Sequence, residues 1–589
     1  MTPKIGLALI VRDEGHLLAR CLESAKDSVD EIVVVDTGSR DQTLDVSRRY
    51  TSRVYSIPWE SDFARARNYA IDHVSAEWVL VLDADETLEG DRTHLRETVA
   101  GAGAKEGFLL PLHNHTGHSP SDYSRSLVLR LFRNIPEHRY RGRVHEQLTV
   151  ASPANLGVLA TPVIRHDPET GSVRLKKRAR NLALLRSALM EDQSNPFLHY
   201  YVGIEWLGLG KPGLALPHFE LARRTLEPTH LTFRLPAVRY LVACLCALGR
   251  LEDAALVCLE ETSTYPRYTD LIYDGGNVFE ELKEYEVAIR WFSQAIASGT
   301  PGLGFFHTNG TESFLSHRHL GNCLLQLGRT AEAWSHFQMA LRENPDDIPA
   351  LSSLFLAGVQ SSGLSQVFAE VKAAGYLRRP AQAETLAALF FEAGSAALAC
   401  ECLVEAGVRE SDRTPTQEHL RARIRYWVYG GRIPTALVAL DRARQCAPSR
   451  ALDVSMRVDE IAGLSIGGRL REAKTKALGL WRDPGGRGPA LALINLLSMT
   501  QGGRASVVVP RAHERTALQT TLSLVECCLR GLDGDRTEEC RRLAASGLAY
   551  LQGFGPAGWR AAVRYFESKA RSLKNLVSLR FGDSGRLAP

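Results

Sequence analysis

The sequence predicts an α/β domain followed by an all-α solenoid of repeated helix pairs. Three observations carry this. Short β-branched apolar runs alternate with amphipathic helical stretches up to about residue 170, the pattern of a sheet covered on both faces. Beyond that point one position recurs at steps of 39, 34, 45, 35, 31, 37 and 37 residues, the band of paired-helix repeats. At 589 residues the chain also exceeds what one hydrophobic core serves, so roughly three or four domains are expected.

Strands are predicted at 5–11, 32–35, 54–57, 78–82, 108–112, 128–132 and 162–164, with helices at 17–25, 44–50 and 63–73 between them. The recurring position of the second part is Ala215, Ala254, Ala288, Ala333, Phe368, Ala399, Ala436 and Ala473. Its sharpest copy runs Leu320, Gly321, Leu324, Gly328, Ala333, Phe337, Ala340, Pro345; Gly203, Gly210, Ala215, Phe219 and Ala222 repeat its offsets, as do Ala288, Phe292 and Ala295. Weaker copies in the same register are Gly394, Ala399, Leu403 and Ala406, then Gly431, Ala436, Leu440, Ala443 and Pro448. Small residues let two helices approach, the large residue fills the gap between repeats, and proline stops the second helix. The pattern resembles the tetratricopeptide family over residues 195–485, and such arrays present a concave surface suited to peptides or proteins. An irregular helical domain with chance alanines is the plainer alternative. The expected domains are a catalytic core at 1–170, its edge reaching about 194, the repeats at 195–485, and at 486–589 a helical cap or homodimerisation element with amphipathic stretches at 517–529 and 559–579.

Composition excludes several classes. A hydrophobic share of 44% with 23% charged residues is globular, and a net charge of +4 is too balanced for a nucleic-acid partner. The cluster Arg174, Lys176, Lys177, Arg178 and Arg180 reads first as a solvated helix face. An odd count of 11 cysteines at spacings unlike zinc sites points to buried free thiols. With no leader-like start and no apolar run of about 18 residues, a cytoplasmic protein with no integral membrane segment is expected.

The strongest chemical signal is the strand 78–82 ending in Asp83-Ala84-Asp85-Glu86. Two carboxylates separated by one small residue can reach a hard divalent ion, Mg²⁺ or Mn²⁺, and that ion can bridge a diphosphate. It also neutralises charge on a departing nucleoside diphosphate. Alone, such a turn is as often a helix cap or a solvent loop. A second strand runs into Val35-Asp36-Thr37-Gly38-Ser39, where Asp41 or Ser39 suits a helix cap and Asp36 is placed for a base or ribose. The first strand leaves Val11-Arg12-Asp13-Glu14 at its tip, and these strand ends can share one rim, where α/β sheets place their ligands.

Together with Asp62-Phe63-Ala64 and Ala66-Arg67-Asn68, these motifs resemble family 2 of the GT-A glycosyltransferases in order and spacing across about 90 residues. The chain closely resembles the subgroup with a tetratricopeptide-like C-terminal half, which includes enzymes that glycosylate bacteriocin peptides on cysteine; lipopolysaccharide-core transferases carry similar N-terminal domains. The resemblance implies a Rossmann-like nucleotide-sugar-binding fold and a nucleotide-sugar donor, UDP-hexose first. It implies direct displacement with inversion, and a Mg²⁺ or Mn²⁺ cofactor. It puts the nucleotide base on Asp36, the metal directly on Asp85 with Asp83 nearer the ribose, and Arg67 and Asn68 beside the nucleotide pocket. Asp13 departs from the asparagine usual there. Tyr140-Arg-Gly-Arg-Val-His-Glu146 resembles the subgroup's Gly-Arg-Val-His-Glu element: Glu146 is the expected general base, Arg141 and Arg143 the diphosphate donors, and His145 a metal or phosphate ligand. His166 competes as the metal ligand. The plainer readings are a solvated helix face for Arg67 and Asn68, and for Glu146 an ion-paired loop that neutralises an arginine.

A peptide or protein side chain is the expected acceptor. The alternatives are a lipid-linked or lipopolysaccharide-core saccharide, or a repeat scaffold without catalysis. The absence of Gly-x-Gly-x-x-Gly after the first strand excludes a dinucleotide oxidoreductase, and no Gln-x-x-Arg-Trp element of processive synthases occurs.

Overall fold

The computed structural model describes residues 3–569 apart from 92, 116–118, 168–170, 410, 411, 413–415, 446–448, 506, 535 and 557–559. The chain forms two compact units, Met1–Leu320 and Gly321–Pro589. The first holds the α/β domain together with the first helix pairs of the repeat region.

The α/β domain runs β1 (Ile5–Val11), α1 (Gly15–Ala25), β2 (Glu31–Asp36), α2 (Thr43–Tyr50), β3 (Val54–Ser56), α3 (Phe63–Asp72), β4 (Trp78–Val81), β5 (Glu86–Glu89), α4 (Thr93–Ala100), β6 (Gly107–His115), β7 (Tyr123–Arg133), β8 (Tyr140–Arg141), β9 (Gln147–Leu148), β10 (Leu156–Val158) and β11 (Val163–His166). The sheet order is β3-β2-β1-β4-β7-β6-β11-β5. The unbroken apolar runs become its centre: β1 pairs in parallel with both β2 and β4, and Ile5, Leu7, Leu9, Val33, Val34, Trp78 and Leu80 are fully buried. Because β2, β1 and β4 are parallel neighbours, Asp36, Val11 and the Asp83 turn leave the sheet on one rim. Every predicted strand and helix forms. The acidic turn contains a strand that periodicity does not reveal: β5 pairs antiparallel with β11, joining Glu86 to His166 in register. Its two glutamates are disfavoured in strands, and pairing with β11 supplies the ladder.

The repeat side of the first unit comprises α5 (Gly171–Glu191), α6 (Pro196–Gly208), α7 (Pro212–Thr225), α8 (Leu231–Ala247), α9 (Leu251–Thr264), α10 (Thr269–Glu281), α11 (Tyr285–Ser298), β12 (His307–Thr308) and, up to Leu320, the start of α12 (Phe314–Gln326). Ala215, Ala254, Ala288, Ala333, Ala399, Ala436 and Ala473 are all fully buried. At the fifth position the register slips by one, since Val367 is the buried residue and Phe368 is partly exposed. A β-carbon on Gly203 would meet the Phe219 ring at 2.7 Å, and one on Gly276 or Gly321 would meet Phe292 or Phe337 at 2.6 Å. The phenylalanine thus needs a glycine across its own helix pair. It also reaches the next pair, Phe219 toward Tyr240 at 5.5 Å and Phe292 toward His319 at 5.4 Å. Phe337→Ala should therefore destabilise the second unit by about 3–5 kcal/mol in chemical denaturation, the range for truncating a fully buried aromatic.

In the second unit helices continue from Thr330–Glu343 to Thr537–Gln552. The predicted stretch 517–529 lies within a helix, Arg511–Arg530. Pro448, Trp559 and residues 570–579 lie outside the described residues. Every described cysteine is free, and all but Cys246 are buried. No helix of the described residues is long and apolar enough to cross a membrane.

The longest step of the repeat, between Ala288 and Ala333, holds an insertion at 299–313 that returns to the α/β sheet. Its β12 pairs antiparallel with β7 at Ser124 and Arg125, and Asn309 Nδ2 donates to the Ser121 carbonyl at 2.8 Å. Buried Asp270 fixes the strand: it accepts from the Thr308 amide at 2.6 Å, from His307 Nδ1 at 2.8 Å and from Arg239 at 2.8 Å. Burial opposes a charge on His307, yet Asp270 and Glu312 outweigh it and hold the imidazole at about 8. A folded-state value above the ordinary 6.5 favours the fold fully below pH 6.5, and the benefit is lost as pH rises through about 8. The unfolding free energy of the wild-type protein, from denaturant titration, should fall across that window by an amount on the order of 1–2 kcal/mol, whereas that of His307→Gln should not.

Candidate active site

The rim is knitted by short backbone bonds between its turns. After β1, Asp13 adopts φ 56° and accepts from the Arg40 amide at 2.7 Å, while its own amide donates to Ser39 Oγ at 3.0 Å. The Glu14 amide donates to Thr43 Oγ1 at 2.9 Å and the Gly15 amide to Asp41 at 3.0 Å. Val11 is buried and its carbonyl accepts from the Thr37 amide. Asp36 is 3% exposed and closes its own turn, accepting from the amides of Gly38 at 3.0 Å and Ser39 at 3.1 Å. Gly38 stands at φ 105°, which a side chain would oppose.

Asp62 caps α3 by accepting from the Arg65 amide at 2.9 Å. One turn on, Arg67 is buried and bridges two segments: its Nη2 donates to Asp83 at 2.7 Å and its Nε donates to Glu146. Its Nη1 is buried with no hydrogen-bond partner among the described residues. Asn68 spends its amide on the backbone of Tyr140, donating to the carbonyl at 2.9 Å and accepting from the N–H at 2.8 Å. It therefore clamps the start of the loop that carries Glu146.

Arg130 on β7 carries no sequence motif, yet it completes the site. Its Nη2 donates to Asp83 at 3.0 Å and to Glu86 at 2.8 Å, and Glu86 also accepts from the Asp83 amide at 2.8 Å. Burial alone would raise the Asp83 carboxyl, but Arg67 and Arg130 overcome it and hold the group well below the usual carboxylate range. For Glu86, burial outweighs Arg130, and with the charges of Asp83 and Asp85 it is pushed up to about 7. No spacing along Tyr123–Arg133 singles out Arg130, because a strand partly exposed on both faces gives such a residue no distinguishing context.

Ala84 is buried, and Asp85 faces a different partner from Asp83: its Oδ2 lies 3.4 Å from His166 Nε2. The His166 Nδ1 lies 3.2 Å from Asn114 Oδ1. A proton donated there leaves Nε2, the atom toward Asp85, to bind a cation. Burial works against the charged form of His166, and Asp85 outweighs it to raise the imidazole. His145 has other company: its ring stacks on Tyr201 at 3.9 Å, and Nε2 is 3.5 Å from Glu205. Arg141 and Arg143 are exposed, with Arg143 3.8 Å from Glu191. Glu146 does sit in an ion pair, with Arg67 and not with either of these loop arginines. Among the described residues no group of three or more His, Cys, Asp or Glu gathers as a metal cage. A carboxylate and an imidazole suit an ion that takes its other ligands from phosphate and water.

Residues 7–157 match the family described as Glycosyl transferase family 2. Over 172 residues the chain is 41% identical to a TPR repeat-containing protein of Synechococcus elongatus, covering 28% of this chain and 42% of that protein. Over 231 residues it is 28% identical to the SPbeta prophage-derived glycosyltransferase SunS of Bacillus subtilis, covering 37% and 53%. The alignments thus span about half the length of these curated relatives. Among solved structures, MamA aligns at 18% identity and a TM-score of 0.25, covering 30% of this chain and 96% of that one. A thermophilic TPR protein of Thermus thermophilus aligns at 25% identity and a TM-score of 0.25, covering 32% and 93%. The N-terminal part of this chain is a family 2 glycosyltransferase domain, and a TPR-like helical region follows it.

Proposed function

We propose that the protein transfers a hexose from a nucleotide donor, UDP-hexose first, to a Ser, Thr or Cys side chain of a peptide or protein, with inversion at the anomeric carbon. The observation that carries this reading is the rim itself: Asp36, the Asp85–His166 pair and the Arg67–Glu146 pair stand at the ends of adjacent strands and on the loop beside them. Asp36 receives the base or ribose in the turn after β2. Asp85 and His166 hold a Mg²⁺ or Mn²⁺, which when bound neutralises charge on the diphosphate. Of the four residues expected to ligate the metal, Asp85 and His166 are kept, since Asp83 is committed to two arginines and the His145 ring is stacked on Tyr201 beside Glu205. Arg67 takes over the diphosphate contact expected of Arg141 and Arg143, since a buried guanidinium with an unpartnered nitrogen completes its bonds on a ligand. Asn68 positions the Tyr140 loop instead of touching the nucleotide. Glu146 accepts the acceptor's proton as the oxygen or sulfur attacks the anomeric carbon and the nucleoside diphosphate leaves. A thiol acceptor needs less of that help. The repeat surface favours a peptide over a small acceptor.

Incubating the full-length protein with a panel of sugar nucleotides, Mn²⁺ and peptides encoded beside its gene tests the assignment by intact mass. A peptide gaining one hexose is the expected result. Modification of a lipid-linked or lipopolysaccharide-core saccharide, with every peptide untouched, would overturn the acceptor class.

A further inference from the structure

The loop carrying Glu146 is seated on the first helix of the repeat region. Val144 is buried in a cluster with Leu182 and Leu185 of α5 and Val202 of α6. His145 stands at φ 50°, in the left-handed region that a β-carbon disfavours. Such a conformation is strained and persists only where the surroundings over-determine it. Here α6 does so. Tyr201 stacks on the imidazole at 3.9 Å with the planes 5° apart, and the Glu205 carboxylate stands 3.5 Å from Nε2. Glu205 is 3% exposed and is fixed by Arg178 at 3.0 Å and Asn181 at 3.1 Å. With Asn68 clamping Tyr140 at the other end, Glu146 is held between two anchors, and it meets Arg67 there.

We propose that Tyr201 and Glu205 are positioning residues for sugar transfer. Acting through His145, they hold the Glu146 carboxylate in place, so α6 sets the geometry of the base. The inference rests on Glu146 as that base.

The full-length Tyr201→Ala, Glu205→Gln, Tyr201→Phe and Glu146→Gln variants test it with two readouts. Hydrogen exchange of residues 140–148 needs no substrate. It should speed up about tenfold or more in Tyr201→Ala and Glu205→Gln, while α8 to α11 keep their protection. The second readout is hydrolysis of UDP-glucose and UDP-N-acetylglucosamine with Mn²⁺, water standing in for the acceptor. In the same two variants kcat should fall by roughly 10- to 100-fold, the cost of a misplaced catalytic group, with KM for the sugar nucleotide within about twofold. Tyr201→Phe, which keeps the stacked ring, should restore most of what Tyr201→Ala loses. Unchanged exchange at 140–148 in both variants, or a loss carried by KM, overturns the inference. Full hydrolysis by Glu146→Gln instead sinks the base assignment beneath it. Inactive Glu146→Gln beside a normal Tyr201→Ala sinks the positioning role alone.

Discussion

Asp85→Ala should lower kcat/KM for sugar transfer by roughly 10³-fold, the several kcal/mol of charge neutralisation that a bound divalent ion contributes. The fold should be nearly unaffected, because among the described residues Asp85 pairs only with His166, across 3.4 Å, and it joins none of the arginine bonds that tie Asp83 and Glu86 into the sheet. Mn²⁺ titration in the presence of UDP separates this from a general loss of activity. Asp85→Ala should abolish the tight Mn²⁺ signal, and His166→Ala should weaken it by about 10- to 100-fold. His145→Ala should leave it in place, since His145 stands against Tyr201 and Glu205. Wild-type Mn²⁺ affinity in Asp85→Ala would remove this residue from the metal site.

Arg130→Ala should destabilise the α/β domain by about 3–5 kcal/mol. One guanidinium nitrogen serves both Asp83 at 3.0 Å and Glu86 at 2.8 Å, and the Glu86 carboxylate is buried while that of Asp83 is partly exposed. Removing it leaves Glu86 without its cation and Asp83 with Arg67 alone. Adding Glu86→Gln to the variant should recover part of the loss, because a neutral amide costs less to bury than an unpaired carboxylate. Denaturant midpoints of the single and double variants measure both effects, and a loss below about 1 kcal/mol for Arg130→Ala would show that the site readily relaxes or hydrates.

The sequence by itself determined the two-part architecture, because both parts are written in local periodicity. Ile5–Val11 is apolar on both faces and can only be a central strand, and the alanines from Ala215 to Ala473 are buried because two helices must touch there. The acids at strand ends were legible for the same reason: Asp36, Asp83 and Asp85 follow apolar runs directly. What those acids face belongs to the tertiary structure. Asp83 and Asp85 are two positions apart, yet one turns to Arg67 and Arg130 and the other to His166, a choice made by β7 and by the pairing of β5 with β11. Arg130, Tyr201 and Glu205 carried no motif, being ordinary residues of a strand and a helix until the fold brings them to the rim and its loop. The long step between Ala288 and Ala333 was visible as an irregularity, but that it holds a strand returning to β7 was not. Periodicity records which face of an element is buried, whereas partners distant along the chain are chosen by sheet pairing and packing, and these decided how the candidate site is assembled.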